Sequence, residues 1–341
     1  MRWKHRPEGS NWGDFGPDDE RGRINLLTPE KVLQGVAEVR AGRSFCLSLP
    51  LDYPGGNDML PFRFPPRHFA APRDGGHNFN FPLQQSKPQF TDVVSDDAVL
   101  LYTQYSTQWD SLAHVGSHFD ADGDGEAEPV YYNGWRAGDD VVGPSGEAHD
   151  GLVEGSYAHR LGIDRMAESA VQGRGVMIDL EKRFGEERVL VDYETLMDVC
   201  REDGVEVEPG DMVCFYTGFG DVVLSMNRQP DKDRLHGACA VLDGRDPKLR
   251  QWVSDSQVSV LISDNFAVEA YPARQAEGRC AALPLHEHCL FKLGVHLGEL
   301  WYLTELAHWL RENDRYRFLL TAPPLRLPGA VGSPATPVAT V

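Results

Sequence analysis

The stretch QYSTQWDSLAHVGSHFDADGDG, residues 104–125, gathers glutamines, acids and histidines and ends on glycine. It can be read in two ways. In the first, Asp110 and His114 stand four apart, and on a helix that spacing puts them on one face. A carboxylate and an imidazole converging there would bind a divalent ion or share a proton. On spacing alone, an ion pair at the edge of the core is the plainer account. In the second, His114, His118 and Asp120 form the cluster and run on into DADGDG. Asp120, Asp122, Asp124 and Gly125 match the first half of a calcium loop, which needs a bidentate acid at its twelfth position. That position is Tyr131, so a solvated acidic turn is the better reading of 120–125.

A third group lies in PLHEHCLFKLGVHLGEL, with His286, His288, His296 and Glu299. If this run is a strand, His286 and His288 share a side. Glu299 would then open the helix read in GELWYLTELAHWL, where the dipole favours a carboxylate. Asp264 and Asn265 in SDNFAVE end a buried-strand run, where loops carry sites. Capping or turn formation would explain them equally. Tyr132, Asn133 and His68 are candidates to line a pocket.

These residues need a scaffold. GRGVMIDL, PGDMVCFYTG and VSVLISDNFAVE read as buried strands, and YRFLLTAPPLRL closes with another. DYETLMDVCREDGV carries apolar residues at helical spacing and stops at Gly204. The runs mix without strict alternation, so the fold class is α/β with a mixed, barrel-like sheet flanked by helices, in a single domain over 1–341. Residues 50–92 are rich in Pro, Gly and aromatics. They read as a long irregular, lid-like loop. The Pro-, Gly- and Ala-rich segment 329–341 reads as a surface tail.

Composition sets the outer bounds. The chain has 341 residues, 41% hydrophobic and 25% charged, with a formal net charge of −19. An acidic chain disfavours nucleic acid and anionic membrane as partners. No apolar run reaches the roughly 20 residues of a spanning helix. Six cysteines without a C-x-x-C pair fit buried free thiols in a reducing cytoplasm.

TQWDSLAHV, YYNGW, SDNFAVE, PLHEHCLFKLGVHLGEL, TAPPLRLPGAVGSPATP and SNWGDFGPDDERGRINLLTPE together resemble the cyclase family. This is the family of metal-dependent hydrolases that includes bacterial kynurenine formamidase and isatin hydrolase. The likeness runs in order over nearly the whole chain, and is greatest to a longer branch with the TQWD pattern. The family signature H-x-G-T-H-x-D-x-P-x-H falls on Gln104, Ser106, Thr107, Gln108, Asp110, Leu112 and His114. Thr107, Asp110 and His114 match. Gln104 and Gln108 replace two histidines, Ser106 a glycine and Leu112 a proline.

The resemblance implies the first of the two readings, with 114–120 a look-alike. In dinuclear members the two upstream histidines and the Asp hold one ion. The Asp, a later His and a later Glu hold the other, and these map to Asp110, His286 and Glu299. Glutamine oxygen is a weaker, neutral ligand. The resemblance therefore implies at most one well-held ion, Mn²⁺ or Zn²⁺ with Fe²⁺ as a third choice, while a metal-free site stays open. It further implies His114 and His286 as catalytic groups, with Gln108 as an extra ligand. Gln104, Trp109, His68, Asn133 and Asp264 are left to face a small-molecule substrate, with Trp135 adding to an apolar pocket. It implies a homodimer or homotetramer that opens an amide, imide or lactone bond. A cyclase or isomerase using Asp110, His114 and His286 is the alternative, and a non-catalytic paralogue the third reading.

Overall fold

The computed structural model describes residues 2–149 and 151–341. Nine strands build its main sheet: β1 (Ser44–Cys46), β2 (Gln108–Asp110), β3 (Gln172–Asp179), β4 (Met212–Tyr216), β5 (Val260–Ser263), β6 (His296–Glu299), β7 (Arg317–Thr321), β8 (Gly332–Pro334) and β9 (Val338–Thr340). Their order is β1-β9-β7-β3-β4-β5-β6-β2-β8. The pairs β3/β4, β4/β5 and β5/β6 are parallel, and the outer pairs antiparallel. The result is an α/β fold around a curled, half-barrel mixed sheet, as the sequence predicts.

The parallel centre is covered on both faces, which is why its strands read as unbroken apolar runs. Along β4, Val213 and Phe215 join one core, while Met212, Cys214 and Tyr216 join the other. Helices α1 (Tyr193–Glu202) and α2 (Pro247–Ser256) close the first face with Leu196, Val199, Leu249 and Val253. Each starts on an aspartate that caps a free amide: Asp192 accepts from the Thr195 amide and Asp246 from that of Lys248. Helix α3 (Thr304–Glu312) closes the second face with Leu306, Ala307 and Leu310.

Four expectations need correction. The 329–341 segment is not a surface tail. It supplies β8 and β9, and Ser333, Ala339 and Val341 are buried. Pro334 ends β8 and Pro337 precedes β9, so neither breaks a ladder.

Residues 50–92 are not irregular throughout. They build short ladders outside the main sheet, Arg67–Ala70 against Asp97–Leu100 and Phe81–Pro82 against Val93–Val94. Pro72 and Pro82 sit in two-residue edge pieces, where no amide is needed, and the other prolines lie between the strands.

The run after Leu283 is helical, not a strand: a turn at Pro284–His286 passes into a π-helical segment, Glu287–Leu293. Pro284 at the first helical position and a left-handed Gly294 at the end are its start and stop signals. Glu299 lies at the end of strand β6, with no helix opening there; α3 begins at Thr304.

Candidate metal and acid–base site

Strand pairing places two of the three acid–base groups. The antiparallel register sets Glu299 across from Gln108 and Leu297 across from Asp110. Directly opposed residues share a face, so Gln108, Asp110 and Glu299 project together. Trp109 between them points the other way. It is fully buried, its indole donates to the Ala322 carbonyl at 2.8 Å, and it packs edge-on against Trp301 at 5.0 Å. Trp109 is therefore a core residue and does not line the pocket.

On the opposite edge of β2, Gly332 faces Asp110. A Cβ there would lie 2.3 Å from Gln104 Nε2, so the bare glycine makes room for that amide.

His286 completes the group from the Pro284 turn. Its Nδ1 lies 2.8 Å from Glu269 Oε1 and its Nε2 3.1 Å from Glu299 Oε1. Glu269 is buried and also accepts the backbone amides of Leu285 and His286. Gly244 leaves it space, since a Cβ at 244 would fall 1.9 Å from Glu269 Oε2. A carboxylate on Nδ1 holds the ring in one tautomer and turns Nε2 toward the site.

Asp110, His286 and Glu299 are all buried and offer ligand atoms within 4.8 Å of one another. Gln108 bridges them, with Nε2 3.0 Å from Glu299 Oε2 and 3.3 Å from Asp110 Oδ1. Asp110 Oδ2 and Gln108 Oε1 are buried and find no hydrogen-bond partner among the described residues.

The electrostatics show a shortage of positive charge. Burial, and then the nearby Asp110, pushes the Glu299 carboxyl above the usual range. Burial opposes charge on His286, yet its hydrogen bonds to Glu269 and Glu299 outweigh that and raise the imidazole. Two buried carboxylates, an imidazole with a fixed tautomer and an orphaned carboxylate oxygen fit one divalent ion of the Mn²⁺ or Zn²⁺ kind.

His114 stands at the rim, with Nε2 3.8 Å from Asp110 Oδ1. The helical premise for this pair fails: Asp110 ends a strand, and a turn with the His114 amide on the Ser111 carbonyl brings the imidazole round. Burial lowers the His114 pKa, partly countered by Asp110, which leaves the ring neutral near pH 7 and free to accept a proton. His114, His286 and Glu299 line a pocket of about 100 Å³ with Leu60, Arg63, Phe266 and Tyr271.

Other expected site residues lie elsewhere. His68 is exposed on the outer ladder opposite Val99. Asn133, at φ 57°, receives the Gly13 amide and donates to the carbonyls of Gly16 and Asp19, so it pins the N-terminal segment. Asp264 is turned to Thr217, accepting its hydroxyl at 2.7 Å and its amide at 3.0 Å. Trp135 is stacked under Arg2 and Arg160. His118 is exposed in a ladder with 128–130.

Sequence reasoning missed Glu269 and Arg63. Glu269 closes SDNFAVE, the motif that drew attention to Asp264 instead. Nothing in its spacing marks it as the partner of His286.

A family model described as "Putative cyclase" matches residues 47–270. The chain belongs to the cyclase family. Among solved structures it is similar to one described as a novel cyclase, at 28% identity over 97% of each chain with a TM-score of 0.73. Isatin hydrolase A from Ralstonia solanacearum shares 16% identity, with 92% of this chain and 97% of that one covered and a TM-score of 0.55. An isatin hydrolase bound to the product analogue thioisatinate aligns at 14% identity over 92% and 99%, with a TM-score of 0.54. At those identities the two isatin hydrolases share the fold. A search of curated proteins gives no match. Among the described residues, no helix is long and apolar enough to cross a membrane.

Proposed function

We propose that this chain is a metal-dependent hydrolase that opens an amide, imide or lactone bond of a cyclic or aromatic small molecule. The observation that carries the reading is the convergence of Asp110, His286 and Glu299, from distant parts of the chain, around an unpartnered Asp110 Oδ2. These three would hold the ion. Bound there, it would supply Lewis acidity toward a carbonyl and acidify a water.

The chain's own groups do the rest. Glu269 orients His286. His114, held neutral by its desolvated setting at the rim, takes a proton from the attacking water and returns it to the leaving nitrogen or oxygen. Leu60, Phe266 and Tyr271 exclude water and favour a flat apolar substrate. The family resemblance supports a cytoplasmic homodimer or homotetramer.

The test is metal content on protein purified without chelator, beside a hydrolysis screen of N-formyl aromatics, isatins and small lactones. One equivalent of ion with turnover in the screen supports the reading. Metal-free protein with full turnover overturns it.

One observation favours a second reading, a cyclase or isomerase that works without metal. The Gln108 amide already bridges Asp110 and Glu299, which eases the carboxylate repulsion with no ion present. Turnover that survives chelation would move the assignment to this reading.

A further inference from the structure

The segment before the outer ladders brings Arg63 to the mouth of the pocket. Its backbone amide closes a turn on the Leu60 carbonyl at 3.1 Å, and one guanidinium nitrogen, Nη1, donates to the Gln104 carbonyl at 2.7 Å. That anchor fixes the direction of the side chain. The remaining donors, Nε and Nη2, meet no protein acceptor among the described residues, and no carboxylate pairs with Arg63 there. The guanidinium nevertheless stands near enough to His114 and Glu299 for its charge to act on both.

The arginines of the acidic surface are mostly paired, as Arg228 is with Asp52 and Arg311 with Asp179. In a chain of net charge −19, an arginine that is anchored by one nitrogen, open on the others and aimed at a pocket is suited to an anion. A planar fork matches two coplanar oxygens, the geometry of a carboxylate. The neighbouring walls, Leu60, Phe62, Phe266 and Tyr271, are apolar or aromatic.

We propose that Arg63 is the carboxylate-recognising residue of this pocket, and that its ligand is a small aromatic carboxylate. The proposal rests on the hydrolase reading for the origin of that anion. Water adds its oxygen to the acyl carbon, the acyl C–N or C–O bond breaks, and the leaving nitrogen or oxygen takes up a proton. The new acid gives up its own proton at neutral pH, so a neutral cyclic amide, imide or lactone whose acyl carbon stays on the aromatic skeleton becomes an aromatic carboxylate. Arg63 thereby favours the charge that appears during the reaction.

The test is equilibrium binding, read by calorimetry, of benzoate and of its neutral counterpart benzamide. It uses the metal-loaded full chain as wild type, R63Q and R63K. Wild type should prefer benzoate over benzamide, and R63Q should lose roughly 10- to 100-fold in benzoate affinity while binding benzamide as before. R63K, with the charge but not the fork, should fall between. The same titrations on metal-stripped protein separate the guanidinium from the ion, and the R63Q deficit should persist there. Benzoate binding that is unchanged in R63Q, or that vanishes with the metal regardless of residue 63, overturns the proposal. An equal loss for both probes in R63Q also overturns it, because it shows that Arg63 only pins the segment. Turnover plays no part in this readout, so a failed hydrolysis screen and a failed Arg63 assignment are distinguishable.

Discussion

Asp110, His286 and Glu299 form one group of three with ligand atoms within 4.8 Å of one another, and Asp120, Asp122 and Asp124 form another. They differ in what already satisfies them. The second group comes from one short turn and feeds its own backbone: Asp120 accepts from the amides of Gly123, Asp124 and Gly125, and Asp122 from that of Asp124. Arg136 lies 3.7 Å from Asp122, so part of the charge is met by a neighbour. The first group is assembled from separate strands and a helical turn. It is buried, and it leaves a carboxylate oxygen without a partner. Density of acids along the chain thus marks a turn. Convergence of acids from afar, with the desolvation this costs, marks a site.

The comparison can be broken or sharpened by experiment. Asp110→Asn should have the largest effect. The ion should no longer be retained through dialysis, and turnover should fall by more than about 10³-fold, since metal charge stabilisation is worth several kcal/mol; full metal content in this variant would remove Asp110 from the site. His114→Ala should lower kcat by roughly 10²–10⁴-fold with metal content intact, as for a general acid–base group. Glu269→Gln keeps the shape but weakens the grip on His286. Metal affinity should drop about 10–100-fold, checked by competition with a chromophoric chelator.

A smaller effect concerns His288, which neighbours the site in sequence only. Burial, helped by Lys292 and Arg250, lowers its pKa to about 4. The unfolded chain therefore binds more protons there than the folded one between about pH 6.5 and 4, so stability falls as pH drops through that window. His288→Gln should flatten this part of the curve, read as denaturation midpoints against pH; an unaltered slope would show that His288 does not carry it. The smallest effect is expected at the acidic turn. His118→Ala and Asp122→Ala should leave kcat and metal content unchanged, and a large loss in either would move the chemistry to the turn.

Much of this was legible in the chain. The buried strands announced themselves as apolar runs. Residue types alone marked Asp110, His114, His286 and Glu299 only as candidates, and the family resemblance is what joined them into one site. What failed was placement. LHEHCLFKL is too short for its periodicity to separate strand from helix, so the strand premise for His286 and His288 stays conditional in the sequence and gives way to a helical turn in the structure. Trp109 is expected at the pocket as an aromatic of the motif, whereas period two in β2 turns it to the opposite core. The 329–341 run looked like a tail because Pro and Gly suggest exposure, yet its strands are so short that such residues fit at their ends. Glu269 and Arg63 were invisible because a hydrogen bond across the fold leaves no spacing in the sequence.

Gly298 lies across from Trp109 on the face turned away from the site. A Cβ there would come within 2.9 Å of Trp301 Nε1, and that indole donates to the Gln108 carbonyl at 3.0 Å. The strand that presents Gln108 and Asp110 is therefore held from behind by a ring that needs an empty position to lie against. An added methyl group at residue 298 would not face the Asp110, His286 and Glu299 group, yet it would tilt the strand that presents Gln108 and Asp110 to it. Inheritance of this site depends on a hollow as much as on its acids, and a survey of inactivating substitutions should return positions that never face the reaction.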